Sequence, residues 1–221
     1  MKEEPGKALS DFIQLLYAIV IGLGFSDFAH GHSFQHLIGR ALKIGELGTF
    51  FLFVAAMLFI LSDYTVYAWL ISTNPSIYRG RPGAFLFFMD LIILSIEYLL
   101  ITVTCAELSL KQVEAFLFGL IIWHAVVCVW WFIYAIDHRT SQDWLVPRAH
   151  IFRAAVYLSI MGVFRGLQFF DIGGIGQAYM TSGSVDENAA GSIFVILLSI
   201  IVASFSVYRF LVYHNLLFSP T

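Results

Sequence analysis

Little of this sequence is charged: 12% of its 221 residues are Asp, Glu, Lys or Arg, about half the share of a soluble domain. Basic residues number 12 against 15 acidic ones, which excludes a nucleic-acid binder and a polybasic lipid-surface protein. Cysteine is nearly absent. Cys105 and Cys128 both sit in apolar runs, so neither a disulfide scaffold nor a cysteine-rich zinc module is available. Lysine is missing from every long apolar run, which excludes a retinal Schiff-base pigment. The alternating ten-residue segments of a membrane β-barrel are missing as well.

Apolar residues make up 59% of the chain, and they fall in about six runs of the roughly 20 residues that cross a bilayer. These runs are Phe12–His30, Leu47–Ser72, Ala84–Ala106, Ala115–Ile136, Ile151–Phe170 and Ser192–Tyr213. The connections hold breakers: Asn74-Pro75, Arg81-Pro82-Gly83, and Asp171 with Gly173, Gly174 and Gly176. Ser184 and Glu187 have capping-box spacing before the last run. The pattern predicts one all-α, polytopic helix bundle spanning residues 1–221, with no separate soluble domain. Phe34–Gly48 has apolar positions around His36, Arg40 and Lys43, so an interfacial helix near 34–46 is an alternative to a plain connection.

Orientation follows from the bases. No small-residue cleavage site follows the first run, which reads as a retained helix. An internal N-terminus puts Lys2, Lys7, Arg79, Arg81, Arg139 and Arg148 on one side and leaves only Arg40, Lys43 and Lys111 on the other. Both termini are therefore expected in the cytoplasm of a plasma-membrane protein. Tyr67, Trp69, Trp130, Trp131 and Trp144 read as interfacial anchors. Small residues recur at Ala18, Gly22 and Ser26, at Ala155, Ser159, Gly162 and Gly166, and at Ser199, Ala203 and Ser206. Such stripes pack helices within a bundle or between subunits, and a homo-oligomer is expected.

Ionisable groups at membrane depth cost several kcal/mol unless paired, neutralised or hydrated, so they mark function. Here these are Asp27, Asp63, Asp90, Glu97, His124, Arg165 and Arg209, with Asp137 and Arg153 nearer a boundary. Depth suggests the pairs Asp27–Arg165, Arg209 with Asp63 or Asp90, and Asp137–Arg153. Even so, about two carboxylates are left over, free to hold a proton, bind a cation or line water. Asp90, Glu97 and Thr104 recur every seven residues and share a helix face, with Asp63 and His124 at neighbouring depth. That face is the candidate ion pathway, and the arginines are its counter-charges. Alternatively, Glu97 is protonated and bonded to Ser95, Thr102 or a tyrosine.

His30, His32 and His36 crowd the end of the first run beside Asp27. Their spacing suits zinc or a pH-sensing surface. A bis-histidine haem lacks a second histidine at the depth of His124, and no glycine-flanked serine nucleophile is present. The leading expectation is a small membrane ion channel or translocator for protons or monovalent cations. The alternatives are a non-enzymatic sensor or scaffold that binds a cytoplasmic or membrane partner protein, and a metal-dependent membrane enzyme using the histidine cluster.

Overall fold

The computed structural model describes residues 5–30, 44–73, 77–78, 80–105, 108–138, 145–181, 183–185 and 188–218. Among these the fold is helical, without a strand: α1 Pro5–His30, α2 Ile44–Thr73, α3 Gly80–Cys105, α4 Leu110–His138, α5 Leu145–Phe169, α6 Ile175–Met180 and α7 Ala189–Phe218. Five of them (α1 to α4 and α7) are long and apolar enough to cross a membrane. α5 and the following segment Ile172–Met180, bent by 106° from it, have the length and composition for a sixth span when taken together, as a broken span or a re-entrant loop.

Several helices start earlier than the apolar runs, each for a local reason. α4 begins at Leu110 rather than Ala115 because Ser109 and Gln112 close a capping box. The Gln112 N–H donates to Ser109 Oγ at 3.3 Å and the Ser109 N–H to Gln112 Oε1 at 2.7 Å. α5 begins at Leu145 rather than Ile151, since Pro147 in a first turn removes no helical hydrogen bond. Pro82 likewise falls in the first turn of α3, so Arg81-Pro82-Gly83 opens a helix instead of connecting two. α7 is capped by Asn188, whose Oδ1 accepts the Gly191 N–H at 2.8 Å, and not from Ser184. Residues 44–48 belong to α2, while 34–43 lie outside the described residues, and the interfacial helix with them.

Neighbouring helices run antiparallel. Phe28 stacks on Phe53 at 3.8 Å where α1 ends and α2 begins, and the Tyr67 hydroxyl reaches the Ser10 carbonyl at 3.3 Å where α1 begins and α2 ends. The end carrying Ser10, Tyr67 and Tyr213 is called the terminal face, and the end carrying α6 the distal face. α2 is the most enclosed span, packed along α7 and flanked by α3 and α1. α5 leans on α4, and an apolar groove of about 550 Å³ separates it from α7 on the outer wall.

Of the small-residue stripes, the α7 one is used inside the chain, with Ser199 and Ser206 buried. The α5 stripe is not: a methyl group on Gly162 or Gly166 would meet no atom within 4 Å. Gly22 in α1 is equally open. Trp130 and Trp131, expected as interfacial anchors, are 4% and 3% exposed. Tyr67 is buried too. All three line the acidic cavity described next.

Candidate functional site

The terminal half of the bundle holds a buried polar tract. Asp63 on α2 receives the Arg209 guanidinium of α7 at 2.5 Å and the Tyr17 hydroxyl of α1 at 2.6 Å, so three helices close on one carboxylate. The expected Arg209–Asp63 pair is therefore formed, and Asp90 takes a different partner. The Tyr78 hydroxyl bonds Asp90 and lies 3.1 Å from the Tyr67 hydroxyl, which in turn reaches Ser10 O.

Tyr78 precedes α3 and arrives there through a glycine. A methyl group on Gly83 would stand 2.1 Å from the Tyr78 carbonyl carbon, so only glycine lets the connection fold back over the first turn of α3.

Counting hydrogens along this chain is informative, because each phenol has one to give. With Asp90 protonated, the hydrogens run Asp90 to Tyr78, Tyr78 to Tyr67 and Tyr67 to Ser10 O, and every contact is satisfied. With Asp90 ionised, Tyr78 donates to the carboxylate, Tyr67 donates to Tyr78, and Ser10 O keeps only its helical hydrogen bond. The same heavy atoms thus hold two proton arrangements, one unit of charge apart.

Deeper along α3, Glu97 is fully buried. Its Oε1 accepts the Trp123 indole N–H of α4 at 3.1 Å, and its Oε2 has no hydrogen-bond partner among the described residues. Asp63 is its acidic neighbour. Ser95 and Thr102 instead bond their own helix, at Leu91 O and Tyr98 O, so the expected local partners of Glu97 are not used. Trp123 also carries the Arg209 guanidinium over its ring at 5.2 Å. One indole therefore joins the α3 carboxylate to the α7 base.

His124 does have a partner at its own depth, contrary to expectation: His150 on α5, with the two Nδ1 atoms 3.1 Å apart. Their spacing in the chain, across a helix connection, gave no periodic signal. Two small cavities flank Arg209. One of about 30 Å³ is lined by Tyr17, Asp63, Tyr67, Asp90 and Trp130, and one of about 10 Å³ by His124, Arg153 and Tyr157. The first has room for a water or two and the second for one small particle. Neither admits a hydrated metal cation.

Toward the distal face the interior turns apolar. Leu52, Leu100, Ile101, Phe116, Leu117 and Leu120 are buried there. Thr104, expected on the pathway, is buried on the same face as Asp90 and Glu97 but spends its hydroxyl on Ile101 O at 2.7 Å. It extends no polar path. At the distal face itself Arg165 pairs with Glu114, and the Tyr179 hydroxyl donates to Glu114 Oε2 at 2.6 Å. This corrects the expected Asp27–Arg165 pair: α4 and α6 supply the partners, while Asp27 is half-buried on α1 with no ion pair among the described residues.

Arg153 lines the small cavity and lies 5.9 Å from the Phe205 ring. The Asp137 side chain, its expected partner, lies outside the described residues. So do His32 and His36. His30 is exposed and contacts the Ser26 carbonyl within its own helix at 2.7 Å. Among the described residues no three His, Cys, Asp or Glu side chains group as a metal site.

Comparison with known proteins gives no match to a family model, to a curated protein or to a solved structure.

Proposed function

We propose that this chain is a multi-pass protein of the plasma membrane, with both termini in the cytoplasm, that moves protons through its buried carboxylates. The observation that carries this reading is the chain Ser10–Tyr67–Tyr78–Asp90 beside Asp63 and Arg209, which has two proton arrangements and no room for a hydrated cation. Three carboxylates, Asp63, Asp90 and Glu97, are buried together, and the Arg209 guanidinium bonds only the first of them. In hydrocarbon such an excess is carried as protons or hydrated by trapped water. Protons enter at the terminal face, pass along the tyrosines to Asp90, cross the cavity to Asp63 and reach Glu97 from there. The apolar layer beyond Glu97 is the barrier that limits the rate. Passage needs transient hydration of that layer.

Flux in proteoliposomes tests this. With a pH gradient and a clamped potential, the wild type acidifies the lumen, and Asp90→Asn and Glu97→Gln each slow it at least about tenfold while the protein stays folded. Wild-type rates in both folded variants, or no proton flux under any gradient, overturn the reading. A potassium current in place of a proton current would move the assignment to monovalent cation conduction.

A further inference from the structure

The cavity of about 10 Å³ between α2, α4, α5 and α7 differs in sign from the acidic tract next to it. Arg153 and Arg209 both line it, together with His124, Tyr157, Ser62 and Ser206. Arg209 is the wall it shares with the acidic cavity, and its charge is met there by Asp63. Arg153 has no carboxylate at ion-pair distance among the described residues, and no carboxylate lines this cavity. One positive charge is left over.

Two neutral groups around it have polar atoms without partners among the described residues: His124, 2% exposed, at Nε2, and Tyr157, 0% exposed, at its hydroxyl. When His150 Nδ1–H donates to His124 Nδ1, the imidazole hydrogen of His124 sits on Nε2. The two serine hydroxyls already donate to backbone carbonyls, Ser62 to Phe59 O and Ser206 to Val202 O, each at 2.7 Å. Unpartnered buried donors around uncompensated positive charge make an anion site, because a water satisfies the donors but leaves the charge. The size admits one small particle and excludes carboxylates, phosphates and other polyatomic anions.

We infer that Arg153, Arg209, His124 Nε2 and the Tyr157 hydroxyl bind a halide ion of the chloride class inside the bundle. The ion neutralises Arg153 and satisfies both orphaned donors. This site shares Arg209 with the acidic tract, and its test does not involve transport.

Thermal unfolding of the purified full chain in detergent is followed while sodium chloride replaces sodium gluconate at constant ionic strength. Chloride raises the midpoint saturably, and bromide does the same. Tyr157→Phe removes one donor and raises the half-saturating chloride about fivefold, and Arg153→Gln abolishes the dependence. Should Arg153→Gln fail to fold, Tyr157→Phe decides alone, since it removes only a hydroxyl. Identical midpoints in chloride and gluconate would make the occupant a water and overturn the inference. So would a Tyr157→Phe protein that saturates at the wild-type chloride concentration.

Discussion

Asp63 and Arg209 stand 146 residues apart in the chain and meet at 2.5 Å, with side chains 10% and 5% exposed. The pair fixes the register of α7 against α2, the most extensive helix contact in the molecule. Breaking it from one side leaves an uncompensated buried charge. Arg209→Gln and Asp63→Asn are each expected to cost about 3–5 kcal/mol of stability. The double substitution Asp63→Asn/Arg209→Met costs less than the sum of its singles. Thermal or denaturant unfolding of the four proteins in one detergent checks the cycle.

Gly83 makes a second prediction, about position rather than charge. Its alanine variant drives a methyl group into the Tyr78 backbone, where no side-chain rotation relieves the overlap. Gly83→Ala is expected to destabilise by more than about 2 kcal/mol, whereas Gly162→Ala, with open space around it, stays within about 1 kcal/mol of wild type. Equal stabilities of the two variants would mean that Tyr78 does not fold back over α3.

Removing the Tyr78 hydroxyl isolates Asp90 from Tyr67 without altering shape. Tyr78→Phe costs about 1–3 kcal/mol through the buried carboxyl it leaves unpaired. Its proton flux falls toward that of Asp90→Asn. Flux at the wild-type rate in the phenylalanine variant would remove the tyrosines from the path.

At the distal end of α4 the capping box gives a smaller, cleaner effect. Ser109→Ala loses the side-chain cap on the Gln112 N–H and is expected to cost about 1 kcal/mol. Hydrogen exchange should quicken over the first turn of α4 and stay unchanged around Asp63.

Much of the fold was legible in the sequence because crossing a bilayer imposes a crude pattern, and the runs found by that pattern became the helices. The heptad of Asp90, Glu97 and Thr104 does share a buried face, as backbone geometry requires. Depth alone narrows the partner of Arg209 to Asp63 or Asp90, and the structure selects Asp63. What depth cannot supply is which helices are neighbours. Depth thus matches Arg165 with Asp27, whereas the structure pairs it with Glu114. Trp123 and Tyr17 carry no signal in the sequence and Tyr67 reads there as an interfacial anchor, since only the partner helix shows that each polar tip meets a carboxylate or a carbonyl. Tyr78 was hidden for another reason. It sits in a connection, and the single clue was a glycine shortly after it, which resembled any other turn residue.

The apolar layer between Glu97 and the Glu114 cluster has an electrical consequence. Trp123, which holds Glu97, stands nine residues beyond Glu114 on α4, about 14 Å of helix at 1.5 Å per residue. In a polarised bilayer the voltage drops where polarisable groups are missing, so it concentrates across this layer instead of the whole hydrocarbon core of about 30 Å. The local field there is about twice that of a uniform slab. Charge arriving at Glu97 from the terminal face does almost no work against the potential. Charge leaving it toward the distal face does nearly all of the roughly 2.3 kcal/mol per 100 mV. If the chain moves protons as proposed, loading of the carboxylates answers to pH and their discharge to voltage.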